Sequence, residues 1–242
     1  MADRTPHQNV TFPSNGHEAH GYLTTPDNGS GPGLIVIQEW WGLTDHIADV
    51  CDRFARQGYV ALAPDLYGGS ITHDADEAGQ MMQDLPEDRA ATDLAGAVDH
   101  LLSLDAVTSE RVGVVGFCMG GGFVIQLAAQ QGDRIGAAVP FYGVLQSEPD
   151  FSAITAPVLG HYAETDDFAP PTKALEMGQA IRDAGGSAAI NVSAAPTTRS
   201  STTRTASVPT SPTLQRSPGH EPCRSSAPTW VTRTDRRLGH QD

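Results

Sequence analysis

Short apolar runs alternate with helix-like segments along the first 192 of the 242 residues. The predicted buried strands cover residues 34–38, 60–63, 112–117, 137–142 and 157–162. Two further strands near the N-terminus, at 10–12 and 21–24, are predicted to form an antiparallel edge. This alternation predicts an α/β fold in which helices cover both faces of a mostly parallel sheet.

Four segments between these runs repeat apolar residues at the spacing of an amphipathic helix. Thr44 is a suitable N-cap for the first helix, and Pro86 opens the second. The predicted buried faces consist of Ile47, Val50, Cys51, Phe54 and Ala55; of Ala90, Leu94, Val98, Leu101 and Leu102; of Phe123, Val124, Leu127 and Ala128; and of Leu175, Gly178 and Ile181. Cys51 is therefore predicted to belong to the core, and every helix is expected to follow a strand.

The chain is acidic, with 15 Lys and Arg residues against 29 Asp and Glu residues and a formal net charge of −14. This charge repels phosphate backbones and anionic lipids, so neither a nucleic acid nor a membrane is an expected partner. No apolar run approaches the roughly 20 residues that span a bilayer, and no signal-like N-terminus is present, which favours a cytoplasmic location. Cys51, Cys118 and Cys223 lack metal-ligand spacing, which predicts reduced thiols and no metal site.

The composition changes sharply near residue 193. Residues 1–192 hold 8 Lys and Arg against 26 Asp and Glu, whereas residues 193–242 hold 7 against 3, so the net charge changes from −18 to +4. The later stretch contains no Phe, Tyr, Ile or Met, and its Ser, Thr, Pro and Arg content is typical of a disordered tail. We therefore predict a truncated α/β domain over residues 1–192 and an aberrant tail over residues 193–242.

The segment 112–123, VGVVGFCMGGGF, runs from a buried strand through a tight turn into a helix. This pattern is typical of a nucleophile elbow, with Cys118 in the place of serine. Gly116 and Gly120 supply the small residues that the strained turn requires. The helix start is expected to favour a thiolate, and the backbone N–H of Met119 points where an oxyanion would form. The alternative is a glycine-rich turn that only packs tightly or holds a phosphate.

Two further loops are expected at the same carboxyl edge of the sheet, where ligands bind in α/β folds. The first contains Glu39, Trp40 and Trp41, which are interpreted as a carboxylate beside a pocket wall, although Glu39 is also compatible with an ordinary exposed acid. The second contains Asp166 and Asp167 after a strand, where a catalytic triad keeps the acid that orients its histidine. Both acids are equally compatible with turn residues.

Five motifs together resemble the dienelactone hydrolase family over about residues 8–192. They are, in order, QEWWG at 38–42, GYVALAPDLYG at 58–68, GFCMGG at 116–121, FYG at 141–143 and the D-x-F-x-P loop at 166–170. The resemblance implies an α/β-hydrolase fold and a hydrolase of small carboxylic esters or lactones that needs no metal or organic cofactor. The oligomeric state stays open.

The resemblance also assigns roles to individual residues. It implies that Cys118 attacks the carbonyl, that the N–H groups of Met119 and Trp40 hold the oxyanion, and that Asp166 is the triad aspartate. A glutamate matching Glu39 is expected to hydrogen-bond the resting thiol and to let it ionise when substrate arrives. Trp41 and Tyr142 are expected in the substrate pocket.

Two departures from the family bear on activity. The arginine that binds a substrate carboxylate has no clear counterpart in residues 74–84, since Arg89 lies further on. The segment expected to carry the catalytic histidine, residues 195–200, reads APTTRS. None of the nine histidines stands in a family-like context, and His161 is interpreted as structural. We therefore expect weak turnover or none, and the alternative function is a catalytically inactive hydrolase fold that binds a small molecule.

A shifted reading frame is one explanation of the tail. One permitted coding of residues 198–203, regrouped one base earlier, reads His-Ala-Phe-Phe-Asn-Asp, which resembles the family's segment around its histidine. Residues 212–223 can likewise be regrouped into an Ala- and Leu-rich string like the start of a helix. The hypothesis is that translation left the ancestral frame at about residue 193.

Overall fold

Strands and helices alternate along the part of the chain that the computed structural model describes, residues 3–4 and 7–194. The strands are β1 (Asp3–Arg4), β2 (Val10–Ser14), β3 (His17–Thr24), β4 (Gly33–Ile37), β5 (Val60–Pro64), β6 (Ser70–Ile71), β7 (Val112–Phe117), β8 (Ile135–Phe141), β9 (Val158–Ala163) and β10 (Ala188–Ser193). The helices are α1 (Asp45–Arg56), α2 (Ala75–Asp84), α3 (Glu87–Ser103), α4 (Met119–Gln131) and α5 (Pro171–Asp183), with short 3-10 turns at Gly132–Arg134 and Phe151–Ala153.

These residues belong to a compact unit bounded by Met1 and Arg199. The predicted tail lies outside the described residues except for Ser193 and Ala194.

Eight of the strands form one sheet in the order β10-β9-β8-β7-β4-β5-β3-β2. Strands β2 and β3 pair antiparallel with each other, and β3 pairs antiparallel with β5, while the remaining neighbours are parallel. The short strands β1 and β6 pair separately. The mostly parallel sheet with an antiparallel edge is confirmed.

Helices pack on both faces of the sheet, as the alternation of side chains along the central strands requires. On one face, Leu34 and Val36 of β4 join Ile47 and Cys51 of α1 in a buried cluster. On the other face, a larger cluster unites alternate residues of the central strands with the apolar sides of α3, α4 and α5. Cys51 is fully buried, as predicted. No described helix has the length and apolarity that crossing a bilayer requires.

Two predictions about helices are wrong, and one helix was missed. Leu175 is 48 % exposed, because the buried stripe of α5 is Ala174, Met177, Gly178 and Ile181, and Leu175 lies one residue, about 100°, away from it. Helix α2 was not predicted, since only Ala78 of its residues is buried and no apolar stripe reveals it. Helix α3 therefore follows a helix rather than a strand.

The N-termini of α1 and α2 differ in how they are capped. Thr44 stands at the N-cap of α1, but its side chain makes no capping hydrogen bond. Asp74 does cap α2, because its side chain accepts the N–H groups of Asp76 and Glu77. Asp74 therefore determines where α2 begins, although the helix contributes little to the core.

Candidate active site

The turn between β7 and α4 holds Cys118 in an uncommon backbone conformation, with φ 54° and ψ −120°. This conformation costs a non-glycine residue conformational free energy, so it persists only where the surrounding structure imposes it. Gly116 and Gly120 permit this, because a Cβ at Gly116 would lie 2.3 Å from the Gly120 carbonyl oxygen and one at Gly120 would lie 2.4 Å from the Gln38 carbonyl oxygen. The two glycines thus let β4, β7 and α4 approach one another closely behind the sulfur.

Replacing Gly120 by alanine should lower the free energy of unfolding by about 2 kcal/mol or more, because the new methyl group meets rigid backbone oxygens. The matched control is Gly79→Ala in α2, where an added Cβ meets nothing within 4 Å. That substitution should raise stability by about 0.5–1 kcal/mol through helix propensity. Urea unfolding midpoints of the two variants and the parent measure both effects. Equal midpoints for Gly120→Ala and the parent would contradict the close approach.

The register of the parallel strands brings three loops together at the carboxyl edge of the sheet. Ile37 of β4 pairs with Gly116 of β7, so Glu39 follows β4 at the level at which Cys118 follows β7. Phe117 pairs with Phe141 of β8, which places Tyr142 beside Cys118 on the other side. Glu39, Cys118 and Tyr142 therefore meet because their strands are adjacent.

Glu39 is half-buried and is tied to the loop after β8. Its Oε1 accepts a hydrogen bond of 3.0 Å from the Tyr142 hydroxyl. Tyr142 itself has a φ of 38°, and its N–H donates to the His161 carbonyl oxygen at 2.8 Å. Burial, followed by the nearby Glu39 carboxylate, strongly raises the pKa of Tyr142, so its hydroxyl stays protonated and able to donate. The reading of Glu39 as an ordinary exposed acid is therefore wrong.

The surroundings of Cys118 favour the neutral thiol. Burial raises the pKa of the thiol to about 11, and the Glu39 and Asp166 carboxylates act in the same direction. The backbone N–H groups of Met119 and Trp40 donate to the sulfur and lower the pKa, but they do not balance the other effects. The start of α4 thus favours a thiolate in the expected direction, but desolvation and the two carboxylates outweigh it, so the resting thiol is neutral.

Asp166 and Asp167 occupy different environments. Asp166 is buried, and its Oδ1 accepts the N–H groups of Phe168 and Ala169 at 2.9 and 3.0 Å. It lies close enough to Cys118 to raise the pKa of the thiol, whereas Asp167 is exposed. The structure thus brings Asp166, and not its neighbour, to the sulfur, and the same carboxylate also organises the turn that carries it.

Aromatic side chains line the loops near Cys118, and two of them, Tyr67 and Phe168, have no role predicted from the sequence. The ring of Trp40 lies 4.9 Å from that of Trp41 and 6.3 Å from that of Phe168, which joins the loops after β4 and β9. The Tyr67 hydroxyl donates to the Met119 sulfur at 3.3 Å, and burial followed by Cys118 raises the pKa of Tyr67. Tyr67 follows β5 at the same edge of the sheet, and its position after a buried strand could have identified it from the sequence as a residue near the site.

A cavity of about 540 Å³ opens on the far side of Gly143, between the segment after β8 and α5. Tyr162, Phe151 and Met177 line it, and Cys118 does not. The Tyr162 hydroxyl donates to the Gly143 carbonyl oxygen at 3.1 Å and so anchors the wall between this cavity and Tyr142.

The described part of the chain places no histidine where it acts on Cys118. His161 lies on β9 and stacks on Phe141 with ring centres 4.6 Å apart, and none of the other described histidines affects the pKa of the thiol. Residues 195–200, where the family histidine was expected, lie outside the described residues. Among the residues that the structure describes, no group of three or more His, Cys, Asp or Glu is placed to hold a metal ion.

Comparisons with known proteins agree on one family. A sequence model of the dienelactone hydrolase family matches residues 19–195. Protein usf of Aquifex pyrophilus is 39% identical over 181 residues, which cover 72% of this chain and 78% of that protein. An Aquifex aeolicus protein, provisionally named a carboxymethylenebutenolidase, is 32% identical over 181 residues, with the same coverage of 72% and 78%.

A solved structure from Klebsiella pneumoniae, provisionally named a dienelactone hydrolase, is similar with a TM-score of 0.69 and 31% identity. The match covers 81% of this chain and 86% of that one. The predicted α/β-hydrolase fold is confirmed by this likeness.

Proposed function

Because this chain belongs to the dienelactone hydrolase family, we propose that it hydrolyses small carboxylic esters or lactones through a thioester formed on Cys118. The observation that carries the proposal is the convergence on one sulfur of two backbone N–H groups, from Met119 and Trp40, at a strained turn. Such donors are aimed at the place where negative charge develops during acyl transfer. The proposed substrate is a small molecule.

Acylation is proposed to begin with a proton transfer that the substrate triggers. Glu39 accepts the proton of the Cys118 thiol, and the sulfur forms a bond to the carbonyl carbon. The carbonyl oxygen becomes an oxyanion held by the N–H groups of Met119 and Trp40. When the C–O bond breaks, the leaving alkoxide takes up the proton that Glu39 accepted, so Glu39 is again a carboxylate and the thioester remains. Tyr142 positions Glu39 for this step, since its hydroxyl donates to the carboxylate.

Deacylation requires an activated water, and here the chain departs from the family. Asp166 is proposed to orient a histidine that removes a proton from this water. The described residues supply no such histidine beside Cys118, and residues 195–200 contain none. We therefore propose that this chain forms the thioester more readily than it hydrolyses it, so that its turnover is impaired.

A burst experiment tests the proposal. Mixed with excess p-nitrophenyl butyrate, the protein should release about one equivalent of p-nitrophenol rapidly and then turn over slowly, because the acyl group stays on the sulfur. Intact mass and peptide mapping should locate one butyryl group on Cys118. The Cys223→Ser variant is the control and should show the same burst.

The opposite result would favour the alternative function. If no acyl group forms on Cys118 but an ester analogue still binds, and binds equally well to the Cys118→Ala variant, the chain is a hydrolase fold that binds small molecules without reaction. The alternative is supported by the neutral state of the resting thiol, because burial raises its pKa to about 11 and a neutral thiol is a poor nucleophile.

A further inference from the structure

Among the described residues, the loops that follow β4, β5, β7, β8 and β9 around Cys118 carry acidic residues and no basic ones. Five segments follow strands at this edge, after β4, β5, β7, β8 and β9, and they cover residues 38–44, 65–69, 118–121, 142–150 and 164–170. None of these segments contains a Lys or an Arg. Together they contain Glu39, Asp65, Glu148, Asp150, Glu164, Asp166 and Asp167. Any ligand that enters here therefore approaches predominantly negative groups.

Glu39 and Asp166 are the members of this set that lie near the Cys118 sulfur, and Glu39 is the half-buried one, whereas Asp166 is buried and accepts the N–H groups of Phe168 and Ala169. The Glu39 carboxylate accepts a hydrogen bond from the neutral hydroxyl of Tyr142, and none of the ion pairs between described residues includes Glu39. Two cations on neighbouring helices are paired with other acids: Arg89, whose guanidinium lies beside Gly68 in the loop after β5, with Asp93 in α3, and Lys173 with Glu176 in α5. Within the described part of the chain, the Glu39 charge is therefore not neutralised by a basic side chain.

The aromatic residues beside Glu39 also influence which ligand groups the site favours. Trp40 and Trp41 are half-buried, and Phe168 is 53 % exposed, so their rings present apolar faces to an incoming molecule. Aromatic faces attract cations and apolar groups, and they gain nothing from a carboxylate.

We propose that Glu39 is a specificity-determining residue that makes this site select acyl donors without negative charge, carrying a neutral apolar or cationic group toward Trp40 and Phe168. This inference rests on the proposed function, because it concerns the substrate class of the same site. A carboxylate near Glu39 is repelled across a partly desolvated space in which charges are weakly screened. A neutral group avoids this repulsion, and a cation gains attraction from both Glu39 and the rings.

Three methanethiosulfonate reagents that differ mainly in charge provide the test: the trimethylammonium-ethyl, methyl and sulfonatoethyl compounds. In each case the Cys118 thiolate attacks the sulfenyl sulfur, an S–S bond forms, and methanesulfinate leaves. The reaction needs neither a histidine nor deacylation, so it reports charge selectivity even if ester hydrolysis fails. Rates are measured by intact mass in the Cys223→Ser background and are divided by the rate of each reagent with free 2-mercaptoethanol.

We expect the normalised rates to fall in the order cationic, neutral, anionic, with at least about a tenfold difference between the two charged reagents. Glu39→Gln should reduce this ratio about threefold or more, and added salt of about 0.5 M should also reduce it. A change in the pKa of Cys118 caused by Glu39→Gln alters all three rates equally, so the ratio isolates the electrostatic selection.

The matched control is Glu110→Gln, an exposed acid before β7 at the opposite edge of the sheet, and it should leave the ratio unchanged. Equal normalised rates for the cationic and anionic reagents, or a ratio that Glu39→Gln does not alter, would overturn this proposal while the hydrolase proposal stands. Failure of Cys118 to react with all three reagents would contradict the accessible nucleophile on which both proposals depend.

Discussion

Replacing Cys118 by alanine should abolish the p-nitrophenol burst, lowering the rate of the first turnover at least about a hundredfold, and should reduce the slow steady hydrolysis to the background of the assay. The expected loss is large because the thioester cannot form without the sulfur, and the oxyanion donors Met119 and Trp40 alone have no attacking group to assist. Stopped-flow absorbance and steady-state rates measure the two effects.

Cys118→Ser makes this prediction sharper, because serine retains the size and the backbone preferences of cysteine. Its hydroxyl is far harder to deprotonate, and no described histidine stands ready to do so, so this variant should lose activity as completely as the alanine variant. Cys51 offers no bypass, since it is fully buried and burial raises the pKa of its thiol. A burst that survived in either Cys118 variant, with unchanged circular dichroism, would remove Cys118 from the mechanism.

Restoring the alternative reading frame from about residue 193 should raise kcat about 10²–10⁴-fold, the usual contribution of a positioned acid–base group. In that frame position 198 becomes His, five residues along the chain from the end of β10 at Ser193, and β10 runs parallel to β9, whose following loop carries Asp166. Steady-state kinetics of the restored and the present chains give the comparison, and the burst should turn into sustained hydrolysis.

The single substitution Thr198→His in the present tail is the matched control for this experiment. It supplies the imidazole without the sequence that follows it, so we expect it to recover only a small part of the activity. The frame hypothesis fails if the gene, sequenced in several independent isolates, encodes this tail without interruption, or if the restored chain turns over no faster.

The same comparison has a stability readout. Helix α1 covers one face of the sheet only over β3, β4 and β5, and on that face Leu159 of β9 is 40 % exposed. An added helix would bury this apolar surface and stabilise the fold by about 25 cal/mol per Å² buried. We expect a marginally stable 242-residue chain and a higher Tm for the restored one. Cooperative unfolding of the present chain at an ordinary mesophile temperature would count against this expectation.

The local pattern of apolar residues is sufficient to predict most of the strands and helices. The runs that became β4, β5 and β7 are continuous and apolar because these strands are buried on both faces, and this signal needs no tertiary information. Helix α2 escaped prediction because it buries little, and the buried stripe of α5 was misplaced because Leu175 and Ala174 are both apolar and only packing distinguishes them.

The α/β architecture and the glycine-flanked turn at Cys118 are predictable from the sequence, since both depend on residues close together in the chain. Tertiary structure alone decided the chemical state of the site. The pKa of Cys118 depends on burial and on Glu39 and Asp166, which come from loops after β4 and β9. Strand register and the hydrogen bond from Tyr142 to Glu39 place these groups near the sulfur, where burial and the two carboxylates outweigh the effect of the helix start on the pKa of the thiol.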